Sequence, residues 1–375
     1  MSGKIRILYT IPNFDTAGSG KALLKIAQRL DRNRFDPYIC CFHDEGKFFA
    51  EVKKSGIPVL IFQYTTPMIP RIRGFINAWK ISRFFKKGNF DLIHSFHYSD
   101  DYSEGIAARL SGTKWLFTKK NMNWGDRSWK IRSKVASAII AQNTDMIKDF
   151  FPGWKNVGLI GRGVDTAEFR PLNKSMDLLQ ALKLPNESKI VLTVANLVPV
   201  KGIEVLIDAF HKVDQTMECL YLLIVGDDTN EYADSLKKKA KVQGVSSKVI
   251  FTGKRLDVNR FHSITDVFVL PTLNKGRQEG SPVSLLEAMA SGSVVLASNI
   301  AGIRDQLEKL PDQLFPPADS HALANKLSHY LSLDENERKT ILQKQRQIIE
   351  DDFTIEREVK SHEKFYIQTV EKNFK

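Results

Sequence analysis

The sequence predicts an α/β fold made of two doubly wound units, each a parallel sheet with helices on both faces. Short apolar runs alternate with amphipathic stretches along most of the chain, and the apolar runs are too short to be helices. The same alternation starts again near Lys189. A chain of 375 residues is about twice the size of a usual single domain, which agrees with two units.

The first unit contains six apolar runs that are predicted strands: Lys4–Ile11, Asp36–Phe42, Val59–Phe62, Leu92–Phe96, Lys114–Thr118 and Ala138–Ala141. Two amphipathic stretches between them, Lys21–Leu30 and Phe75–Lys87, are predicted helices.

The second unit repeats the pattern with five predicted strands: Ile190–Ala195, Tyr221–Val225, Val249–Phe251, Val267–Leu270 and Val294–Ala297. Its predicted helices are Ile203–Val213, Tyr232–Val242, Val258–Ile264 and Pro282–Ala290. The chain from Asp334 to Lys375 is highly charged and contains no proline, and its last helix is predicted from about Ile355 to Phe374.

The joint between the two units is predicted near residue 165, because Gly161, Gly163 and Pro171 interrupt the periodic pattern there. The predicted domains are therefore residues 1–165 and 166–354. The last helix, residues 355–375, either caps the second domain or packs back on the first. Parallel sheets bind ligands at the carboxyl ends of their strands, so functional residues are expected just after strands.

Positive charge is concentrated in the first domain. Residues 1–165 carry 27 Lys and Arg against 14 Asp and Glu, a net charge of +13, whereas the rest carries 28 against 29, a net charge of −1. This asymmetry favours an anionic partner such as a membrane surface, a lipid phosphate or another polyanion, with solubility as the alternative. No nucleic-acid reader motif accompanies the charge, so nucleic acid is not expected as a partner.

The composition favours a cytoplasmic protein. Its three cysteines, Cys40, Cys41 and Cys219, show neither a disulfide spacing nor a metal-ligand spacing, as in a reducing compartment. No apolar run reaches the roughly 18 residues that a membrane span requires. The apolar start of the chain is broken at Pro12, which predicts a first strand rather than a signal peptide.

Two glutamates flank a predicted helix start after the strand that ends at Leu270. Ser281 is the predicted N-cap and Pro282 the first helical residue, so Glu279 lies in the loop and Glu287 about five residues inside the helix. The free backbone N–H groups at a helix start suit an anion such as a diphosphate. Carboxylates accept hydrogen bonds from hydroxyl pairs. The arrangement fits a nucleotide sugar, and the alternative is an ordinary helix with an acidic start.

The stretch EGSPVSLLEAMASG, from Glu279 to Gly292, resembles the signature of the retaining glycosyltransferases of family 4, in which the two glutamates also stand eight positions apart. The resemblance implies the GT-B fold, two Rossmann-like domains that face each other across a cleft. It implies that Glu287 holds the ribose and that Glu279 acts catalytically on the transferred sugar. Backbone contacts to sugar and phosphate are implied for Gly280, Ser281, Pro282 and Val283.

The resemblance covers essentially the whole chain. Lys201, just after a predicted strand, matches the family's phosphate-binding lysine, and a cation there would stabilise the leaving diphosphate. Gly18 and Gly20 match the family's first glycine loop, where backbone approaches the donor. One departure is Asn196, which stands where the family usually has an arginine. Arg255, after the third predicted strand of the second domain, is the candidate to supply the missing charge.

The first domain also departs from the family. The family often has a histidine beside the reacting sugar, but the corresponding stretch around Lys120 and Asn121 has none. These two residues and His97, which follows the preceding predicted strand, are the acceptor-side candidates. The alternative for His97 is a purely structural role.

The resemblance implies transfer of a sugar from a nucleotide-diphosphate donor to a hydroxyl of a glycan or a lipid-linked acceptor, in surface polysaccharide or glycolipid synthesis. No Asp-x-Asp pattern follows a strand, so neither a metal nor another cofactor is expected. The charge on the leaving group would then be balanced by Lys201 and the helix start. The alternative function is a nucleotide-sugar-binding protein without turnover.

The stretch from Arg71 to Lys87 is both basic and aromatic, with Ile72, Phe75 and Trp79 at helical spacing. One interpretation is a helix that lies on an anionic membrane and serves a lipid-linked acceptor. The other is a helix whose apolar face packs on the first sheet while its cations face water.

Overall fold

The computed structural model describes residues 3–371 except 16, 47, 98, 124, 126, 277 and 279. It forms two compact units. The first contains the chain up to Gly161 and again from Ile355 onward, and the second is Arg162–Thr354. The boundary between the units therefore lies a few residues before the one expected from the sequence, and the last helix belongs to the first unit.

The first unit is built on a sheet of seven parallel strands in the order β3-β2-β1-β4-β5-β6-β7. The strands are β1 Ile5–Thr10, β2 Phe35–Cys41, β3 Val59–Ile61, β4 Leu92–Ser95, β5 Lys114–Lys119, β6 Ala138–Ala141 and β7 Val157–Leu159. The helices between them are α1 Ala17–Arg29, α2 Phe49–Lys54, α3 Arg71–Gly88, α4 Ser103–Ser111, α5 Arg127–Val135 and α6 Thr144–Phe150. Buried apolar residues on the sheet, such as Ile7, Leu116 and Ile140, form its core.

The second unit has a sheet of six parallel strands in the order β10-β9-β8-β11-β12-β13. Its strands are β8 Lys189–Val194, β9 Leu220–Val225, β10 Val249–Phe251, β11 Val267–Leu270, β12 Val294–Ser298 and β13 Leu314–Phe315. Its helices are α7 Met176–Ala181, α8 Ile203–Asp214, α9 Glu231–Val242, α10 Val258–His262, α11 Val283–Ser291, α12 Ile303–Gln306, α13 Ser320–Leu331 and α14 Glu335–Asp352. The predicted α/β class with two parallel sheets is confirmed.

The last helix, α15 Ile355–Glu371, completes the core of the first unit. The Tyr366 hydroxyl lies 2.7 Å from Nδ1 of His94, and Nε2 of that histidine lies 2.9 Å from the Thr118 hydroxyl. The Phe365 ring packs on Gly158, where an added Cβ would lie 2.6 Å from the ring. Burial lowers the pKa of His94 well below its usual value, so the ring is neutral and structural.

Each sheet has one point at which the strand order reverses. In the first sheet the chain proceeds outward from β1 through β2 on one side and from β4 on the other, so the reversal lies between β1 and β4. In the second sheet it lies between β8 and β11. Open parallel sheets bind ligands just beyond the carboxyl ends of the strands at such points. The loops that follow these four strands are therefore the expected positions of a ligand site.

Within the described part of the chain, no helix combines the length and the apolar character that crossing a membrane requires.

Candidate functional site

The loops that follow β8 and β11 contact each other at the reversal point of the second sheet. The backbone N–H of Leu273 donates a 2.8 Å hydrogen bond to the carbonyl oxygen of Val200. Gly202 has a φ of +63°, and an added Cβ would lie 2.2 Å from the carbonyl oxygen of Pro271. Lys201 lies between these two contacts in a single 3₁₀ turn and is only 6% exposed. The lysine is therefore held in place by backbone on both sides.

Gly202→Ala is expected to destabilise the second unit and to weaken ligand binding at Lys201. The left-handed φ strains any L-residue, by about 1 kcal/mol or more. The clash with Pro271 adds overpacking of roughly 1–3 kcal/mol. Gly244→Ala is the matched control, because Gly244 has a φ of +74° but nothing within 4 Å of an added Cβ. Thermal unfolding of both variants measures the difference, and equal loss of stability would contradict the close packing at Gly202.

The start of α11 differs by one residue from the sequence-based expectation. The structure places Pro282 at the N-cap and begins the helix at Val283, so the prediction of Ser281 as N-cap and Pro282 as first helical residue was wrong. The Ser281 hydroxyl is engaged elsewhere, since it accepts hydrogen bonds from the Arg162 backbone N–H at 3.2 Å and from Nε2 of Gln306 at 3.0 Å. Because proline has no N–H, the donors at this helix start begin with Val283.

Gln306 is a site residue that the sequence did not reveal. It is 2% exposed, and its Nε2 also donates to the carbonyl oxygen of Pro282 at 3.2 Å. The side chain thus joins α12 to the loop before α11 and fixes both Ser281 and Pro282. A glutamine in a four-residue helix carries no periodic signal, so only the folded structure shows this role.

The residues around the start of α11 are close to the protein interior. Gly280 and Pro282 are buried, while Ser281 and Val283 are half-buried. Glu287 is half-buried in the second turn of α11, about 6 Å beyond Val283 along the helix axis. Glu279 lies outside the described residues, so its predicted place in the loop stays a prediction. The structure brings the start of α11 and Lys201 to the loops of two adjacent strands.

The position of the missing arginine and the candidate to replace its charge, Asn196 and Arg255, have different surroundings. Asn196 is exposed in the loop after β8. The Arg255 guanidinium donates to both carboxylate oxygens of Asp257, from Nε at 2.9 Å and from Nη2 at 2.8 Å, and it holds the pKa of that carboxyl below its usual value. Arg255 follows β10, which is the edge strand and is separated from β8 by β9. Its charge is thus already balanced, and its role toward a phosphate stays a prediction.

A second polar site lies at the reversal point of the first sheet. The loop after β1 leads into α1, where Gly20 packs against Phe14 and an added Cβ at Gly18 would meet nothing within 4 Å. The Lys120 ammonium group, just beyond β5, donates to the Ser19 hydroxyl at 3.1 Å and to the Phe96 carbonyl at 2.7 Å. The glycine loop and Lys120, which the sequence placed in separate motifs, are therefore in contact through Ser19.

His97 and Asn121 complete the acceptor-side candidates. His97 is half-buried after β4, with its ring edge-on to Phe42 and Tyr64 at centroid distances of 6.1 and 6.2 Å. Burial, and then the charges of Arg132 and Lys120, lower the pKa of His97 to about 4. The imidazole is neutral at physiological pH and can exchange hydrogen bonds without adding positive charge. Asn121 is buried directly after Lys120.

A buried polar network, which sequence analysis missed, holds the ends of β1 and β4 together. Glu104 of α4 accepts hydrogen bonds from the hydroxyls of Thr10 and Ser95, the last residues of these two strands. Nη2 of Arg132 donates to the Ser95 hydroxyl at 3.0 Å. All these side chains are fully buried. Each partner comes from a different element, so the network depends on strand order and has no local sequence signal.

Among the residues that the structure describes, no group of three or more His, Cys, Asp or Glu side chains is arranged to hold a metal ion. The expectation that the site works without a metal stays a prediction.

Comparison with known families gives two adjacent matches. The family described as Glycosyltransferase Family 4 matches residues 16–168, and the family described as Glycosyl transferases group 1 matches residues 176–347. The first match covers the glycine loop and Lys120, and the second covers Lys201 and the segment that starts α11. The first matched range therefore lies mostly in the first structural unit, and the second lies within the second unit.

Similar proteins agree with these families. A GDP-mannose-dependent alpha-(1-6)-phosphatidylinositol monomannoside mannosyltransferase of Mycobacterium tuberculosis is 32% identical over 151 residues, which is 39% of this chain and 39% of that protein. A glycosyltransferase from Rickettsia africae has a TM-score of 0.86 at 21% identity and 99% coverage of both chains. Anabaena Alr3699/HepE in complex with UDP and glucose has a TM-score of 0.80 at 20% identity, over 96% of this chain and 98% of that one. These structures show that the fold is GT-B.

Proposed function

The chain belongs to the glycosyltransferases of family 4 and group 1, and from this membership we propose that it transfers a sugar from a nucleotide-diphosphate donor with retention of configuration. One observation carries the proposal above all. The loop that contains Lys201 and the loop that leads from β11 to α11 contact each other at the reversal point of the second sheet. A lysine and a helix start at the carboxyl edge of the same parallel sheet provide the two parts of an anion site suited to a diphosphate.

The donor would lie along this edge with its three parts in order. Its diphosphate is bound by Lys201 and by the N–H groups that begin at Val283. Glu287, one turn further along α11, accepts hydrogen bonds from the ribose hydroxyls. Glu279 contacts the transferred sugar at the other end. UDP and glucose in the related Anabaena structure support a donor of this kind.

The chemical step follows from the same groups. As the bond between the sugar and the diphosphate breaks, negative charge develops on the phosphate oxygens, and Lys201 and the α11 start stabilise it. The acceptor hydroxyl attacks the face from which the diphosphate departs. Its proton passes to a phosphate oxygen of the leaving group. No metal ion takes part in this scheme.

The acceptor side is assigned to the reversal point of the first sheet. His97 is neutral there, and Lys120 is anchored through Ser19 and Phe96, so Lys120 is the candidate to replace the histidine that the family often has. The acceptor is a hydroxyl of a glycan or of a lipid-linked sugar in surface polysaccharide or glycolipid synthesis. The name of the mycobacterial relative, which acts on a phosphatidylinositol monomannoside, supports a lipid-linked acceptor.

The place of action is the cytoplasm, at the face of an anionic membrane that the basic first unit contacts. The buried, unpaired thiols of Cys40 and Cys41 are compatible with a reducing compartment. The excess of positive charge in residues 1–165 supplies the attraction to anionic lipid.

A protein that binds nucleotide sugars without turnover is the second candidate. It is favoured by the exposed Asn196 in place of a basic residue and by the ion pair that occupies Arg255. Both features leave less positive charge for the departing diphosphate than the family usually provides.

A thermal-shift screen against UDP-, GDP- and ADP-sugars tests the donor site. One nucleotide class is expected to raise the unfolding midpoint by about 5 °C at a hundredfold excess over its dissociation constant. The free sugar alone, which lacks the diphosphate, is the control and should produce no shift. The absence of any shift across the whole panel would overturn the proposed donor site.

A further inference from the structure

Helix α3 has two apolar faces, and only one of them packs against the protein. The packed face consists of Gly74, Ala78, Ile81, Ser82 and Phe85, all of which are buried. Its small residues allow close contact, since a Cβ added to Gly74 would lie 2.8 Å from the Cα of Met68. The helix also packs against α4. These buried residues are therefore the face through which α3 packs on the first unit.

The second apolar face of α3 is exposed. Ile72 is 79% exposed, and Phe75, Ile76 and Trp79 are each about half exposed. They lie roughly 120° around the helix axis from the packed face, as follows from 3.6 residues per turn. Ile69, just before the helix, is 86% exposed. The alternative in which these side chains pack on the first sheet is thus incorrect.

These five residues form a patch that is unlike the rest of the described surface. Other large apolar side chains that are similarly exposed, such as Leu110, Val242 and Leu256, come from separate elements. Single exposed apolar residues are ordinary on a protein surface, whereas a contiguous group of isoleucines and aromatics marks an interaction site. We call Ile69, Ile72, Phe75, Ile76 and Trp79 the α3 patch.

Positive charge surrounds the α3 patch. The helix carries Arg71, Arg73, Lys80, Arg83, Lys86 and Lys87 and has no acidic residue. The Arg83 guanidinium lies 5.2 Å from the centre of the Trp79 ring, so the cationic and apolar parts of the surface adjoin. The exposed surface of α3 therefore combines an apolar patch with cations along the length of the helix.

We infer that the α3 patch inserts into the interfacial region of a bilayer that contains anionic phospholipid. Isoleucine and tryptophan side chains gain free energy at the boundary between head groups and acyl chains, while the flanking cations are attracted to lipid phosphates. A polyanion such as nucleic acid would match the charge but not the five apolar side chains. The inference deepens the proposed function and rests on it in one respect, the lipid-linked acceptor, for which it names the docking surface.

Vesicle flotation tests this inference with the full chain. The probes are vesicles of phosphatidylcholine alone and vesicles with 30 mol% phosphatidylglycerol, a composition chosen to give about the anionic charge of a cytoplasmic leaflet. The native chain is expected to float with the anionic vesicles. Ile72→Ser combined with Trp79→Ser should lower the partition coefficient about tenfold or more. Val242→Ser is the matched control, because Val242 is 79% exposed, like Ile72, but lies in the second unit, and it should bind as the native chain does.

A second pair of variants separates insertion from simple charge attraction. Lys86→Gln with Lys87→Gln should weaken binding to anionic vesicles, whereas Lys238→Gln with Lys241→Gln, on exposed positions of α9, should not. Brominated acyl chains should quench part of the tryptophan fluorescence of the native chain. The quenched fraction should be smaller in Trp79→Phe than in the native chain, since both proteins keep the other four tryptophans.

The inference is overturned if the native chain binds neither vesicle, or if Ile72→Ser with Trp79→Ser binds as well as Val242→Ser. Light scattering covers the remaining alternative. If the native chain forms a dimer that Ile72→Ser with Trp79→Ser converts to a monomer, and the native chain does not bind vesicles, the α3 patch is an interface between two copies and the inference is overturned. The donor-induced thermal shift is measured on the same samples without lipid. If the donor still raises the unfolding midpoint but the chain does not bind vesicles, only the proposed docking surface is contradicted. If the chain binds vesicles but no donor raises the midpoint, only the proposed donor site is contradicted.

Discussion

Replacement of Lys201 by methionine is expected to lower kcat for sugar transfer by about 10²- to 10³-fold, as when one preorganised electrostatic contact to a developing charge is removed. Methionine is nearly as long as lysine, so the buried position stays filled while the charge is lost. The folded state should remain, because backbone contacts through Val200 and Gly202 hold the turn that carries Lys201.

Steady-state kinetics of Lys201→Met is the measurement, with Lys254→Met as the control. Lys254 is an exposed lysine of the same unit, in the loop after β10. The control should keep native kcat and KM. If Lys201→Met kept kcat within about threefold of native, well short of the loss typical for such a contact, the assignment of Lys201 to the leaving diphosphate would be wrong.

Glu279→Gln is expected to reduce turnover by about 100-fold or more while nucleotide binding stays close to native, because the proposal assigns this carboxylate to the sugar and not to the nucleotide. Glu287→Gln provides the contrast. This residue is assigned to the ribose, so its loss should weaken binding of the nucleoside diphosphate itself. Calorimetric titration with the diphosphate, beside kinetics with the sugar donor, distinguishes the two roles. Equal effects of both substitutions on diphosphate affinity would contradict the proposed order of the ligand along α11.

Much of the fold could be predicted because strands buried on both faces are continuous apolar runs. The runs at Val249–Phe251 and Val267–Leu270 have the same bounds in the sequence and in the structure as β10 and β11. The two strands that were missed are β7 and β13, of three and two residues at the far edges of their sheets. A run this short, with Gly158 inside β7, has no periodicity to detect.

The candidate site was predictable where it depends on local sequence and not where it depends on strand order. The segment around Glu287 and the lysine at 201 were visible as motifs. The contacts of Ser281 with Gln306, and of Lys120 with Ser19, join residues that are far apart in the chain. Only the order of strands in each sheet brings them together, and a motif carries no information on that order.

The packing of α3 could not be predicted from its sequence for a different reason. Helical periodicity indicated an apolar face that includes Ile72 and Trp79, but it could not tell which apolar face packs. The structure resolves this because Gly74, Ala78 and Ser82, which are small and give little hydrophobic signal, are the residues that contact the rest of the unit. Close packing favours small side chains there, and the larger ones remain on the outside.

Product analysis with the donor that stabilises the protein tests the central claim most directly. The native chain is incubated with that donor and a lipid-linked or glycan acceptor, and the nucleoside diphosphate and the acceptor mass are followed together. The expected result is release of the diphosphate in step with an acceptor that gains one sugar, with both signals lost in Lys201→Met. A donor that binds and shifts the unfolding midpoint, yet is neither transferred nor hydrolysed, would contradict the claim and identify a nucleotide-sugar-binding protein instead.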